Sequence, residues 1–374
     1  MSKLDKLINE LCPDGVEYVN IGSIVNYEQP TNYIVTSTDY NDNFDIPVLT
    51  AGQSFILGYT NEIENIYNAS IESPVIIFDD FTAAFKWVDF PFKVKSSAMK
   101  MLTSNIEKTT LRYIFHMMSS ICYSTDEHKR LWISRYSQLQ IPLPPLPVQE
   151  EIVRILDNFT ELTAELTAEL TAELTARKKQ YEYYRKELLT FTDDVKKVPL
   201  IDVVKIKRGV RVVKSQLAVE GEYPVFQNSM TPLGYMDKAN CTGDTAFIIT
   251  AGAAGEIGYT DNDFWAADDC FSFECPQYLK SKYLYYILLC QQNTIYSKVR
   301  KASIPRLPRS AIEKLIIPVP SVDIQEKIVD VLDRFDTLCN DISKGLPAEI
   351  VARQKQYEYY RDKLLTFKES SDEN

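Results

Sequence analysis

Residues 159–185 read FTELTAELTAELTAELTARKKQYEYYR, and residues 348–367 read AEIVARQKQYEYYRDKLLTF. The first stretch carries Thr-Ala-Glu-Leu three times in succession, at 163–166, 167–170 and 171–174. The second ends in nearly the same words with no such run before them. Turns and catalytic loops do not repeat so regularly, and both stretches read as helix. Ile152, Ile155, Phe159, Leu162 and Leu166 step by threes and fours, a heptad seam. Leu170 and Leu174 follow by fours, a stutter that locally unwinds a coiled coil. Tyr181, Tyr184 and Leu188 restore the seam. Matching places in the second stretch are Ile328, Val331, Phe335, Leu338, Ile342, Leu346, Ile350, Tyr357, Tyr360 and Leu364. There SKGLPAEI interrupts: Gly345 can end one helix and Pro347 can open the next, so a break is expected near 344–347.

The two helices belong to a longer repetition. Residues 141–191 lie over 317–367 at a constant offset of 176, with about half the positions identical. IPLPPLPVQEEIVRILDNF faces IPVPSVDIQEKIVDVLDRF. The same offset reaches back to Arg130–Leu131 against Arg306–Leu307, and to Gly58–Tyr59 against Gly234–Tyr235. The chain is a tandem duplication whose backs match and whose fronts have diverged. The fronts mix strand-and-turn stretches (46–59, 75–88, 223–235, 246–259) with short helices from Leu111 and Lys282. The expected organisation is a first domain at 1–146, a long helix at 147–191, a second domain at 192–321, a broken helix at 322–368 and an acidic tail at 369–374. A helix of that length, about 65 Å, cannot bury its own seam, whereas two in one chain can bury each other. The expected fold is therefore α+β: two mixed α/β domains separated by a pair of long antiparallel coiled-coil helices, with pseudo-two-fold symmetry. Separate docking of each helix on its own domain is the alternative.

No apolar run of the 374 residues approaches a membrane span and no signal-peptide core opens the chain, so a cytoplasmic location without membrane contact is expected. The seven cysteines include no Cys-x-x-Cys pair, which disfavours a disulfide or metal framework. A net charge of −11 argues against nucleic acid, but the charge is uneven. Acid gathers in Glu161, Glu165, Glu169 and Glu173. Base gathers in Lys205, Lys207, Arg208, Arg211 and Lys214, in Lys298, Arg300, Lys301, Arg306 and Arg309, and in a smaller run at Lys93, Lys95 and Lys100.

Catalytic chemistry is hard to find. His116 and His128 are the two histidines, and neither has a carboxylate or cysteine partner at motif spacing. The Gly252–Gly258 stretch follows a strand but precedes no helix and lacks a Lys-Ser/Thr, so it reads as a turn and not a phosphate cradle. Asp79–Asp80 and Asp268–Asp269 lack the further ligands a nuclease needs. The chain reads as a non-enzyme, a reader or a scaffold.

The order of parts, with its paired QEEIVRILD/QEKIVDVLD and KQYEYYR segments, resembles the DNA-specificity subunit of Type I restriction–modification systems over the whole chain. The Thr-Ala-Glu-Leu run resembles one branch of that family. The resemblance implies a non-catalytic subunit with two target-recognition domains, each reading half of a split double-stranded DNA sequence. It implies helices that set the spacer and dock two methyltransferase subunits, with restriction–translocase subunits joining. No cofactor is expected on this chain; S-adenosylmethionine, ATP and Mg are expected in the partners. A coiled-coil scaffold without sequence-specific DNA binding is the alternative. Candidate DNA contacts are Gln53, Lys86, Lys100, Arg130 and Arg135 in the first domain. In the second they are Lys207, Arg208, Arg211, Asn228, Lys298, Arg300, Lys301 and Arg306. Candidate partner-docking residues, expected to face outward, are Tyr183, Arg185, Tyr359 and Arg361.

Overall fold

The computed structural model describes residues 2–52, 54–105, 107–123, 129–341 and 344–370. Gln53, His128, Ile342 and tail residues 371–374 lie outside the described residues. The chain divides into two units, Met1–Ala168 with Val351–Asn374, and Glu169–Ile350.

In the first unit an antiparallel sheet has the order Val25–Glu28, Met99–Ser104, Val75–Asp79, Phe85–Val88. A second sheet orders Ile56–Thr60, Ile46–Leu49 and Lys93–Val94, the last pair parallel. Tyr18–Asn20 pairs with Gln140–Pro142. The central strand VIIFD is apolar on both faces because both are covered. Ile76 and Phe78 join the core under the helix Leu111–Ser120, while Val75 and Ile77 join the core of the second sheet.

The second unit repeats this plan with other residues. Its sheet orders Lys205–Arg208, Cys270–Glu274, Thr245–Ile249 and Ile257–Thr260. Tyr235–Met236, Tyr223–Phe226 and Trp265–Ala266 form the second sheet, the last pair again parallel. Lys197–Pro199 pairs with Ile316–Pro318. Ala246 and Ile248 face the helix Ser281–Cys290; Phe247 and Ile249 face away. The glycine-rich stretch is the turn between two strands, with Gly252 and Gly255 at φ +79° and +96°.

The long helix Leu146–Leu188 runs from the first unit into the second, the division falling after Ala168. The other copy is two helices, Val322–Asn340 and Leu346–Leu365, with Gly345 just before the second and Pro347 in its first turn. Within the first unit Phe159 stacks on Tyr360 at 6.0 Å and Thr160 meets the Tyr357 hydroxyl at 3.0 Å. Ile152 and Leu156 share a core with Leu364 and Leu365, so the two helix segments run antiparallel. Within the second unit Phe335 stacks on Tyr184 at 5.6 Å, and Ile328 and Leu332 share a core with Leu188 and Leu189. At the offset of 176, Phe159 corresponds to Phe335 and Tyr184 to Tyr360, so the same aromatic pair closes both segments.

Among the described residues the seam departs from expectation most strongly at Leu162, with Val331 and Leu338 exposed to a lesser degree. Leu162 is 62% exposed, while Thr163 is half-buried and Leu156 fully buried. Each four-residue step turns a helix by about 40°. Four leucines at that spacing cannot share one face, so the first of them leaves it.

Residues 16–18 also meet the segment that follows the helix Leu346–Leu365. Val16 N–H donates to the Lys368 carbonyl at 2.9 Å, Ser370 N–H to the Val16 carbonyl at 3.0 Å, and the Tyr18 hydroxyl to the Phe367 carbonyl at 2.9 Å. In the second unit the corresponding join is covalent: after the long helix ends at Leu188, residues 189–196 lead into Lys197–Pro199. Gly15, at φ +105°, allows the approach, since a Cβ there would lie 2.5 Å from the Lys368 carbonyl oxygen.

Candidate nucleic-acid interface

Basic residues of the second unit gather around one cleft of about 340 Å³, lined by Arg208, Arg300, Arg306, Asp268, Asp269, Thr250, Phe271 and Ile304. The strand Lys205–Arg208 brings Arg208 to its rim, where Nε donates to the Asp268 carbonyl at 3.1 Å. Arg306 approaches the Asp269 carboxylate at 3.8 Å and stays well exposed. The loop 300–306 is closed by Arg300 N–H to the Arg306 carbonyl at 2.8 Å and Arg306 N–H to the Arg300 carbonyl at 3.2 Å. Leu307 N–H on the Thr250 carbonyl (2.8 Å) and Gly252 N–H on the Pro305 carbonyl (3.2 Å) hold that loop to the sheet. Two guanidinium groups partly held by acceptors, Arg208 on a strand and Arg306 on a loop fixed by backbone, suit phosphate or the O6/N7 edge of guanine.

The other candidates of this unit are not among the residues lining that cleft, and Lys298 lines a separate one with Gln291 and Thr294. Arg211, Lys298 and Lys301 are exposed. Asn228 is exposed, and its carbonyl accepts the Ala253 N–H at 2.9 Å. Lys207 is exposed and ion-paired with Glu274, which also takes Lys205 at 3.3 Å, so one carboxylate is shared by two ammonium groups.

In the first unit Arg130 and Arg135 are exposed and Lys86 is half-buried on the strand Phe85–Val88. Lys100 is not a surface cation. Its side chain is 1% exposed, pairs with Asp80 at 2.9 Å and donates to Gln29 at 3.1 Å. Asp80 is just as buried and accepts the Leu131 and Trp132 N–H groups at 3.1 and 2.8 Å. The ammonium completes a core network, and DNA cannot reach it. Lys93 is likewise buried against Glu62 at 3.0 Å. Burial pushes the Glu62 carboxyl up, but hydrogen bonds from Ser37, Thr36 and Lys93 outweigh it and hold the group down at about 2.

Tyr183 and Tyr359 stand out as expected, 60% and 62% exposed, each edge-on to its neighbour Tyr184 or Tyr360. Their arginines do not. Arg185 lies over the Tyr181 ring at 5.2 Å, and Arg361 lies over Tyr357 at 6.0 Å, bonded to Asp362. A side chain four residues on reaches back over the preceding turn, which takes both guanidinium groups off the outward face.

His116 does have a carboxylate partner, from 41 residues away: its Nε2 lies 2.7 Å from Asp157. It is packed between Leu111–Ser120 and the long helix, and burial lowers its pKa below the ordinary 6.5 despite Asp157. Sequence reasoning also passed over Gln149, Gln325 and Asp333. The available signal was their recurrence, Gln149 with Gln325 and Asp157 with Asp333, at the offset of 176. Among the described residues no group of three or more His, Cys, Asp or Glu is placed to hold a metal ion, and no helix is long and apolar enough to cross a membrane.

Comparison with known proteins agrees with this geometry. The profile of the Type I restriction modification DNA specificity domain matches twice, over residues 13–176 and 192–352. The chain is 41% identical over 401 aligned positions to the Type I restriction enzyme EcoR124I/EcoR124II specificity subunit of Escherichia coli, covering 98% of this chain and 97% of that one. Among solved structures it resembles the Type-I restriction-modification system S subunit from M. genitalium, with TM-score 0.57, 16% identity and coverage of 94% and 96%. It also resembles a chain from a structure described as the basis of complex assembly and conformational transition of the type I R-M system, with TM-score 0.66, 16% identity and coverage of 95% and 98%. Two specificity domains in tandem, each ending in one copy of the same helix, make this chain a member of the Type I restriction–modification DNA-specificity subunit family.

Proposed function

We propose that this chain reads an asymmetric, split duplex target, one half per unit, and catalyses nothing itself. The observation that carries this is the contrast between matching backs and diverged fronts on one topology. Two readers of different half-sites need a common mount and different surfaces. In the second unit the cleft of Arg208, Arg300 and Arg306 supplies phosphate and base-edge contacts, and the exposed Arg211, Asn228, Lys298 and Lys301 are further candidates. In the first unit Arg130, Arg135 and Lys86 are the remaining described candidates.

Two methyltransferase subunits dock on the KQYEYYR segments, with Tyr183 and Tyr359 as exposed aromatic anchors. Restriction–translocase subunits complete the assembly. Those partners bind S-adenosylmethionine, ATP and Mg. Lengthening the helix that joins the units changes the unspecified spacer between half-sites, and the Thr-Ala-Glu-Leu run is the adjustable part.

The test is methylome sequencing of cells expressing the complex. One split motif with two different halves is expected. Replacing residues 200–310 with the corresponding domain of another family member is expected to change one half only. A contiguous motif, or a change in both halves, overturns the reading.

A further inference from the structure

Each unit fastens its recognition domain to its helix in the same unusual way. Gln149 is fully buried near the start of the long helix. Its Oε1 accepts the Thr110 N–H at 3.2 Å and the Thr109 hydroxyl at 2.8 Å, and its Nε2 donates to the carbonyls of Lys108 at 3.2 Å and Pro144 at 2.7 Å. Thr110 is the N-cap of the domain helix Leu111–Ser120. Gln325, also fully buried, does the same in the second unit. Its Oε1 accepts the N–H of Lys280, the N-cap of Ser281–Cys290, at 2.9 Å, and its Nε2 donates to the Tyr278 and Pro320 carbonyls, both at 2.9 Å. In both units the glutamine grips backbone: the N-cap amide, the carbonyl two residues before it, and a proline carbonyl five residues before the glutamine.

Eight residues further along each helix stands an aspartate. Asp157 takes Arg112 Nε at 2.8 Å and His116 Nε2 at 2.7 Å. Asp333 takes Lys282 Nζ at 3.0 Å and the Tyr286 hydroxyl at 2.5 Å. Arg112 and His116 sit two and six residues past their N-cap, and so do Lys282 and Tyr286. The positions are conserved between units; the side chains are not.

Two points eight residues apart lie about 12 Å apart along a helix. One hydrogen-bonded point is a pivot, whereas two fix an angle. A domain of this size is about 30 Å across. A tilt of about 7° therefore moves its far surface by about 3.4 Å, one base-pair step. Holding the spacer to one value requires the mount to be stiff to a few degrees.

We infer that Gln149 with Asp157, and Gln325 with Asp333, are positioning residues that set the angle of each recognition domain on its helix and thereby hold the spacer to one length. The inference rests on the proposed split-target reading. It carries a compatibility rule: a transplanted domain must bring its N-cap backbone and two hydrogen-bond donors, at the second and sixth positions beyond the cap, whatever their identity.

The test uses the assembled methyltransferase complex and duplexes carrying both half-sites at the native spacer or one base pair longer or shorter. With Asp333→Asn and Tyr286→Phe combined, preference for the native spacer is expected to fall about tenfold, the scale of a lost charge-assisted hydrogen bond, while half-site preference stays unchanged. Tyr286→Phe alone keeps the Lys282 pair and the side-chain volume, so it assembles if the double variant does not, and it is expected to relax the spacer to a lesser degree. Lys282→Arg with Tyr286→His installs the first unit's donors and is expected to stay as strict as the parent. An assembled variant lacking the second aspartate contact that still discriminates like the parent overturns the inference. A parent complex that recognises no split site overturns the reading beneath it, which distinguishes the two failures.

Discussion

The two units solve one internal problem in opposite ways. In the first, Lys100 lies opposite Phe78 on the sheet and is buried in a pair with Asp80. In the second, Phe271 lies opposite Ile248 in the equivalent register, and Thr250 takes the place of Asp80 at the head of the following turn. The backbone frame is the same: Asp80 N–H meets the Ala98 carbonyl and Leu131 N–H meets the Asp80 carbonyl, as Thr250 N–H meets Asp269 and Leu307 N–H meets Thr250. An ion pair in one unit and an aromatic ring in the other fill one place. The frame therefore tolerates wholesale exchange of its filling, while the glutamine and aspartate of the mount are the same in both units. It also explains why cations near this place are cleft-lining in one unit and sealed inside in the other.

The largest effect expected from this comparison is on stability. Lys100→Ala leaves the Asp80 carboxylate buried without its counter-charge, which costs about 3–5 kcal/mol. Urea unfolding followed through Trp87 and Trp132, both in the first unit, reads the loss. Lys100→Phe together with Asp80→Thr copies the second unit's filling and is expected to recover part of it. A Lys100→Ala protein as stable as the parent but weaker on DNA would restore the lysine to the interface and break the comparison.

A smaller effect concerns pH. His116 occupies the position Tyr286 holds in the other unit. Burial lowers its pKa below 6.5, opposed by Asp157, with Arg112 and Arg361 also disfavouring the charged form. The unfolded chain therefore takes up the proton first as pH falls. This contribution to stability is full above about pH 6.5 and shrinks as pH drops from there toward the lower folded value. The urea midpoint of the first unit is expected to fall between pH 7.5 and 5.5, and His116→Gln is expected to flatten that slope. The second unit has no counterpart in this window at that position, because Tyr286 is pushed further up by burial and by its bond to Asp333. An unchanged slope in His116→Gln assigns the dependence elsewhere.

Helices were legible in the sequence because heptad spacing is a local signal. Phe159, Phe335, Tyr184 and Tyr360 announce the seam wherever the chain places them. The departure at Leu162 follows from arithmetic on a four-residue step, and that arithmetic was available. The positions of Arg185 and Arg361 were available too, since each is four residues after a seam tyrosine. Lys100 was not legible. Its partner is 20 residues away across a sheet, and the run MKMLTS does not reveal that both of its faces are covered. The His116–Asp157 contact is non-local in the same way. Sheet topology was hidden for a related reason: the fronts share almost no residues, so neither copy helps to read the other. Of the candidate interface, the clustering of Arg208, Arg300 and Arg306 was readable as charge, but the loop closure that fixes 300–306 depends on backbone pairing that composition does not carry.

On the proposed function, one chain mounts two readers on a helix whose length sets the distance between the sites they read. Each Thr-Ala-Glu-Leu adds about 6 Å and about 40° of turn, against about 3.4 Å per base pair. Ala, Leu and Glu favour helix, so removing one unit keeps the helix intact. Methylome mapping of the complex with residues 167–170 deleted tests this directly. Both half-sites unchanged, with the spacer shortened by one or two base pairs (the scale of 6 Å against 3.4 Å), is the predicted result. An active complex with its spacer unchanged would contradict that role for the helix.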